Sequence, residues 1–375
     1  MRILFVLSLL LDFVPTSAQH CVEVTNPSAV QRHEVIELDG SLLPDTPLVV
    51  RDAFGIACPW QLTHDGKLLL YASVRPLGQA VYTIQHGQSQ PMKHYVTGRY
   101  YPERADDISF ENDRAGFRIY GPETQRRGEQ SFGIDLWVKR SSEPVLDSLY
   151  KWDISDHVSY HLDHGSGMDA YGVGPTLGCG TPALMVADSI CYPWCYESYQ
   201  ILDHGPLRFT VQLDFPQVVI RGMSVREHRV LSLDRGSNFC KVTVWYDGID
   251  SPLCLAAGFA MRTADTSSVI LGDHYIHYAD PTVDASRHNS QIYVGLVFPD
   301  KVDVICTRPF PEPVGINYGH GLGIVAGYTG YKYTYYIGMA WSDFDVRSWP
   351  EWHVRVEQFL NARQSPLTWQ IKKAG

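Results

Sequence analysis

LRFTVQLDF (Leu207–Phe215), VREHRVLSL (Val225–Leu233) and FCKVTVWY (Phe239–Tyr246) follow one another, punctuated by Pro216, Gly222 and Gly236. Each run is short, rich in β-branched and aromatic residues, and alternates apolar with polar positions, which is the period of a half-buried strand. The same signature recurs at Leu68 to Val74, Phe132 to Lys139, Gln291 to Phe298 and Tyr331 to Trp341. One helix is predicted, near the C-terminus. There Ser348-Trp349-Pro350-Glu351 gives a start signal, and Val354, Val356, Phe359 and Leu360 offer an apolar face. Strands without intervening helices pair antiparallel, and at this length a large β-sandwich is the economical architecture. No repeat of fixed period is visible, which counts against a propeller. The expected fold class is therefore all-β, with one domain over residues 22–375.

Residues 1–18 read as a secretory signal peptide, with Arg2 as the positive start, Ile3 to Leu11 as the apolar run and Thr16-Ser17-Ala18 before the cut. The run is too short to span a membrane, which takes about 20 residues. Cys21 lacks the context of a lipid attachment site. The expectation is a periplasmic or secreted protein without a membrane anchor. The net charge of −10 argues against nucleic acid, which demands basic stripes. The 8 cysteines are too dilute for a disulfide scaffold, and Cys191-x3-Cys195 has no second pair to make a zinc ribbon; a disulfide and buried free thiols remain equal readings. Nine Trp and 22 Tyr suit a sugar ligand, although all-β domains are aromatic-rich in any case.

Three patches carry candidate chemistry. HVSYHLDHGSGMDAYGVGPTLGCG (157–180) places His161, Asp163, His164, Asp169 and Tyr171 on a glycine-interrupted backbone that cannot be one helix or strand, so these side chains fall on turns. RADDISFENDR (104–114) holds Arg104, Glu111 and Asn112, with Arg118 just beyond it; as a surface loop it is a solvated turn, and as a site it grips a uronate or polyol. GIDLWVKR (133–140) sets Asp135, Trp137 and Lys139 on one strand face, either a sugar platform or an ordinary solvent face. Outside the patches, His320 in the loop Tyr318-Gly-His-Gly-Leu-Gly is a remote candidate to close the site. His157-x3-His161-x2-His164 is compatible in ligand type with Ca²⁺ or Zn²⁺, but Gly165 and Gly167 oppose the helix that would align two ligands; no cofactor and no metal ligand is assigned. No GxSxG elbow and no phosphate-binding glycine loop occurs.

RADDISFENDRAGFRIYGP, GIDLWVKR and YHLDHGSGMDAYGVGPTLGCG, followed by GPLRF, resemble the signatures of the family catalogued as domain of unknown function 4861. The resemblance runs from Tyr95 to Trp341. It implies a galactose mutarotase-like β-supersandwich with an open face for sugar, in an exported polysaccharide-degrading system. The implied activity is β-elimination on a uronate at the non-reducing end of an oligosaccharide, removing water to leave a 4,5-unsaturated sugar.

That chemistry sets requirements. The carbon 5 proton is weakly acidic beside a negative carboxylate, so a cation must meet the carboxylate before a base acts. Arg104 and Arg118 are the candidates for that contact. An unperturbed imidazole, with a pKa of about 6.5, suits the base, hence His161 or His164, with Tyr171 as acid to the leaving group. Glu111, Asp163 and Asp169 would orient imidazoles or bind hydroxyls, and Asn112, Trp137 and Lys139 would form the platform. Other readings are a lyase that shortens the chain, a glycosidase pairing Glu111 with Asp163 or Asp169, and a non-catalytic sugar-binding protein.

Overall fold

The structure is a computed structural model that describes residues 20–43, 47–281, 289–300 and 302–373. The expected signal peptide, 1–18, lies outside the described residues. The opening stretch forms strands Arg208–Asp214, Met223–Asp234 and Phe239–Asp247, paired antiparallel in the centre of a nine-stranded sheet that continues through Tyr333–Trp341, Ile292–Val297 and Tyr275–Asp280. From Met223 to Asp234 buried and less buried residues alternate throughout, as a sheet packed on one face dictates. The fold is all-β, and three α-helices occur among the described residues.

Two further five-stranded sheets cover the inner face. One runs Ser189–Cys191, Cys179–Val186, Leu253–Met261, Asn317–Tyr328 and Val304–Val314; the other runs Gly167–Met168, Asp135–Lys139, Gly116–Ile119, Asp107–Glu111 and Thr97–Tyr101. Leu231, Val242, Ile337 and Leu296 share one apolar core with Phe259 and Leu255 of the first and Phe110 and Phe117 of the second. The N-terminal strands form a five-stranded sheet with Thr368–Lys373 and a three-stranded sheet, which enclose a separate core of Val22, Leu38, Leu68, Leu70 and Ile84.

The predicted C-terminal helix spans Trp349–Gln364, and Ser348 Oγ accepts from Glu351 N at 3.4 Å. Trp352 and Val356 are buried against Phe239 and Tyr293, with Phe359 and Leu360 at the rim. Val354, expected on the apolar face, is instead 47% exposed, because Trp352 takes the buried position two residues earlier.

Two departures concern the candidate patches. The charged stretch after Arg104 is no surface loop: Asp107–Glu111 is a strand buried at every position. Leu146–Ser155 is a helix although its N-cap, Val145, offers no side-chain acceptor. Glu111 Oε1 supplies it, accepting from Val145 N and Leu146 N at 2.8 Å each.

Phe110 stacks on Phe117 and Phe209 with centroids 5.7 and 5.2 Å apart, joining the two sheets. Phe110→Ala is expected to destabilise the fold by about 3–5 kcal/mol, read by denaturant unfolding. A loss under about 1 kcal/mol would show that this contact does not hold the layers together.

Candidate functional site

Arg118 is the centre of the geometry. It sits on the strand Gly116–Ile119 and its side chain is 4% exposed. Nη2 makes a short ion pair with Asp135 and a second with Asp169 at 2.8 Å, and it donates to Tyr120 Oη at 3.0 Å. Its guanidinium lies 5.2 Å from the Trp137 ring and 5.8 Å from the Tyr160 ring. A buried guanidinium is tolerated because two carboxylates and these ring faces replace its water. Two acids around one cation leave a negative surplus, and burial pushes the Asp135 carboxyl up to about 7. Asp107, on the neighbouring strand, is pushed up to about 6 by burial; Oδ1 accepts from Gly121 N at 3.1 Å, and Oδ2 has no hydrogen-bond partner among the described residues.

The cluster reaches solvent through two residues. Arg104 is half-buried, and its Nε donates to Tyr160 Oη at 2.9 Å; Arg118 Nη1 approaches the same phenol at 3.4 Å. His161 is 50% exposed, and its Nδ1 lies 3.0 Å from the Asp169 carbonyl and 3.6 Å from the Asp169 carboxylate. Both neighbours are acceptors, so in the neutral tautomer that suits them Nδ1 carries the hydrogen and Nε2 the lone pair. The rings of Tyr160 and His161 lie 4.6 Å apart, so the phenol links the cation to the imidazole. The structure therefore brings together Arg104, Arg118, His161 and Asp169 from the sequence-predicted set.

Other predicted residues serve the scaffold. Lys139 Nζ is buried on Glu111 Oε2 and on the Asn112 carbonyl, each at 2.5 Å. Asn112 spends both ends of its amide: Nδ2 donates to the Asp234 and Ser237 carbonyls, and Oδ1 accepts from Arg114 N and Ala115 N. Trp137 is fully buried among Tyr101, Tyr150 and Tyr160. The sugar platform read from Asn112, Trp137 and Lys139 is thus corrected to core, and Glu111 to an ion partner and helix cap. Arg118 is buried, so even its Nε, unpartnered among the described residues, does not reach an outside carboxylate.

The glycine-rich segment folds on turns, as expected. Gly167, at φ +112°, passes so close to the neighbouring strand that a Cβ would stand 2.0 Å from the Val138 carbonyl oxygen. Asp163 fixes this turn, accepting from Gly165 N and Gly167 N and pairing with Arg140 at 2.6 Å. His164 binds the Ser159 carbonyl at 3.0 Å and stands edge-on to Trp152, so it is a loop residue. Tyr171 Oη donates to the Gly178 carbonyl at 2.8 Å, and burial raises its pKa well above the usual phenol range, which removes it as a proton donor to outside ligands. His320 is buried, accepts from Leu177 N at 3.2 Å and is pushed down to about 3 by burial; it braces the segment from behind as a neutral ring.

Beyond Tyr171 lies a second buried group that sequence reasoning missed. Arg262 stacks 4.3 Å from the Tyr171 ring, bonds Asn317 and faces Asp280 Oδ2 at 3.7 Å. Burial pushes Asp280 up to about 7. The available signal was a charge at the end of each apolar run, LCLAAGFAM before Arg262 and YIHYA before Asp280. Tyr160, flanked by His161 in the sequence, was likewise missed. Among the described residues no group of three or more His, Cys, Asp or Glu is arranged to hold a metal, and all eight cysteines are free thiols.

Asp107 has a folded-state pKa above its unfolded value, so the folded chain binds more protons between about pH 4 and 6 and stability falls as pH rises through that window. Asp107→Asn should remove that slope and raise stability at pH 8 by as much as ~3 kcal/mol, read by urea unfolding at both pH values. Equal stability of both proteins at pH 8 would contradict a buried, under-paired carboxylate. Conversely, Lys139→Met removes the buried cation from Glu111, which keeps only its two backbone N–H donors, and should cost about 3–5 kcal/mol in urea unfolding.

The chain is 27% identical over 291 residues, 74% of its length, to "Uncharacterized protein P7" of Formosa agariphila, covering 70% of that protein. Among solved structures it is similar to an α-mannosidase from Enterococcus faecalis V583, with TM-score 0.51 and 10% identity over 94% of this chain and 46% of that one. A glycosyl hydrolase family 38 protein from Enterococcus faecalis gives TM-score 0.52 at 10% identity, over 96% of this chain and 48% of that one. The chain thus spans about half the length of these solved proteins, and the likeness is one of fold. The model of the family described as domain of unknown function 4861 matches residues 24–368, and the chain belongs to that family.

Proposed function

We propose that this protein is an exported carbohydrate-active enzyme that performs β-elimination on oligosaccharides ending in a uronate, as a dehydratase. The observation that carries the reading is the half-exposed His161, oriented by Asp169, beside an arginine with free donors. Fold kinship with the α-mannosidase and the glycosyl hydrolase family 38 protein supports a sugar ligand, and the acidic balance fits a small substrate rather than nucleic acid.

The residues divide the work as follows. Arg104 uses only Nε on Tyr160, and its two terminal nitrogens have no partner among the described residues, so they can fork onto the uronate carboxylate and stabilise charge developing at carbon 5. His161 Nε2 takes the carbon 5 proton while Nδ1–H stays on the Asp169 carbonyl. The electron pair of the broken C–H bond forms the carbon 4–carbon 5 double bond. The carbon 4 oxygen leaves with its bonding pair and takes up a proton, so one water is released. His161, holding the proton taken from carbon 5, is the exposed group that can deliver it, since Tyr160 beside it is buried and burial raises its phenol pKa.

His161→Ala should lower turnover by about 10²–10⁴-fold while leaving the fold intact, since the side chain is half exposed. The assay is ultraviolet absorbance of the conjugated uronate together with product mass. Loss of one water with no chain shortening supports dehydration. A shortened unsaturated product would make the protein a lyase, and a saturated product would replace elimination by hydrolysis. Wild-type turnover in His161→Ala would remove that residue from the chemistry.

A further inference from the structure

A second, separate feature is a cavity of about 210 Å³ on the outer face of the nine-stranded sheet, walled also by the strand Arg32–Asp39 and the helix Trp349–Gln364. It is smaller than the ~300 Å³ at which pockets for whole organic ligands begin, so it suits one small group. Its wall is cationic in a chain whose net charge is −10.

The carboxylates of that wall are already used. Glu34 is shared by Arg32 and Arg363, Glu37 pairs with Arg208 at 2.6 Å and Lys67 at 2.8 Å, and Asp234 pairs with Arg208 at 2.5 Å. Three cations are left over. The Lys241 ammonium makes no ion pair or hydrogen bond among the described residues, and Glu37 and Asp234, both engaged elsewhere, act on it only through space. Arg235 is clamped between the rings of Tyr95 at 3.7 Å and Tyr71 at 4.4 Å, and its buried Nε has no partner. A guanidinium stacked on both faces keeps its in-plane donors for a ligand. Arg355 donates to Asn238 Oδ1 at 2.6 Å and reaches Asp345 only at 3.5 Å, where Arg114 holds that carboxylate more closely at 2.7 Å.

Three surplus positive charges around one concavity repel one another, and a concave wall of low dielectric strengthens that repulsion. A bound anion reverses its sign. We infer that this cavity is an oxyanion-binding site in which Lys241, Arg235 and Arg355 hold a sulfate, phosphate or carboxylate group, borne on a sugar or free in solution. The site is independent of the elimination chemistry, since it shares no residue with the Arg104, Tyr160 and His161 group.

Titration calorimetry on the full chain, at constant ionic strength in chloride, tests it with four probes: inorganic sulfate, inorganic phosphate, glucose 6-sulfate and glucuronate. One saturable site is expected, with affinity lowered about tenfold or more in Lys241→Met and further in Lys241→Glu, and unchanged in Lys372→Met, which removes a charge outside the cavity. Lys241 is exposed, so these variants keep the fold, and their unfolding curves verify it. Tighter binding of the sugar-borne anions identifies recognition of a substituent on a saccharide, and tighter binding of the inorganic ions identifies a free-ion site. Heat that does not saturate with any probe, or affinity equal in wild type and both Lys241 variants, overturns the inference.

Discussion

The ion triad of Arg118 with Asp135 and Asp169 is the constraint on which the candidate site depends. Its three members come from two neighbouring strands and from the turn that follows Gly167–Met168. Strand pairing alone fixes Arg118 opposite Asp135, since the two are register partners. Asp169 lies just past Gly167–Met168, which pairs with Val138 and Lys139 at the sheet edge, and its ion pair with Arg118 adds to that docking. Once there, its carbonyl orients His161. A buried ion pair of this kind contributes little net stability against apolar alternatives, yet losing one member leaves a charge without solvent. Its value is positional.

The surrounding acids show the cost of that arrangement. Asp107, Asp135 and Asp280 are all raised by burial, and Asp107 and Asp280 each keep an oxygen without a hydrogen-bond partner among the described residues. Perturbed carboxyls concentrated beside exposed titratable groups are what functional sites accumulate, because matching a proton donor to its task opposes solvation. The glycine-rich segment from Asp169 to Gly178 separates two such groups, with Arg118 on one side and Arg262 on the other, and Tyr171 and His320 stiffen it from behind.

The fold was legible where burial is one-sided. Met223–Asp234 and Phe239–Asp247 alternate because one face meets the core, and period-two reading found them. It failed at Asp107–Glu111, where both faces are covered and the polar alternates Asp107, Ser109 and Glu111 are buried too, so that charge density imitated a solvent loop. The helix Leu146–Ser155 escaped because its cap, Glu111, stands some 35 residues away in sequence, and start signals are read locally. For the site, the histidine-rich segment was singled out by its implausibility as core, yet Tyr160, Met168, Asp169 and Tyr171 within it are buried. Which of its side chains face outward was set by tertiary contacts: Tyr171 turned inward to the Gly178 carbonyl, and Tyr160 took the place between the arginines. Residue type alone does not distinguish those two tyrosines.

Elimination differs from hydrolysis and from binding in one bond, the C–H bond at carbon 5. Proton NMR of a uronate-terminated oligosaccharide incubated with the protein in heavy water follows that bond directly. The account predicts loss of the carbon 5 signal with the appearance of an olefinic proton at carbon 4. A carbon 5 proton that persists, whether the sugar is left intact or cleaved to a saturated product, contradicts it.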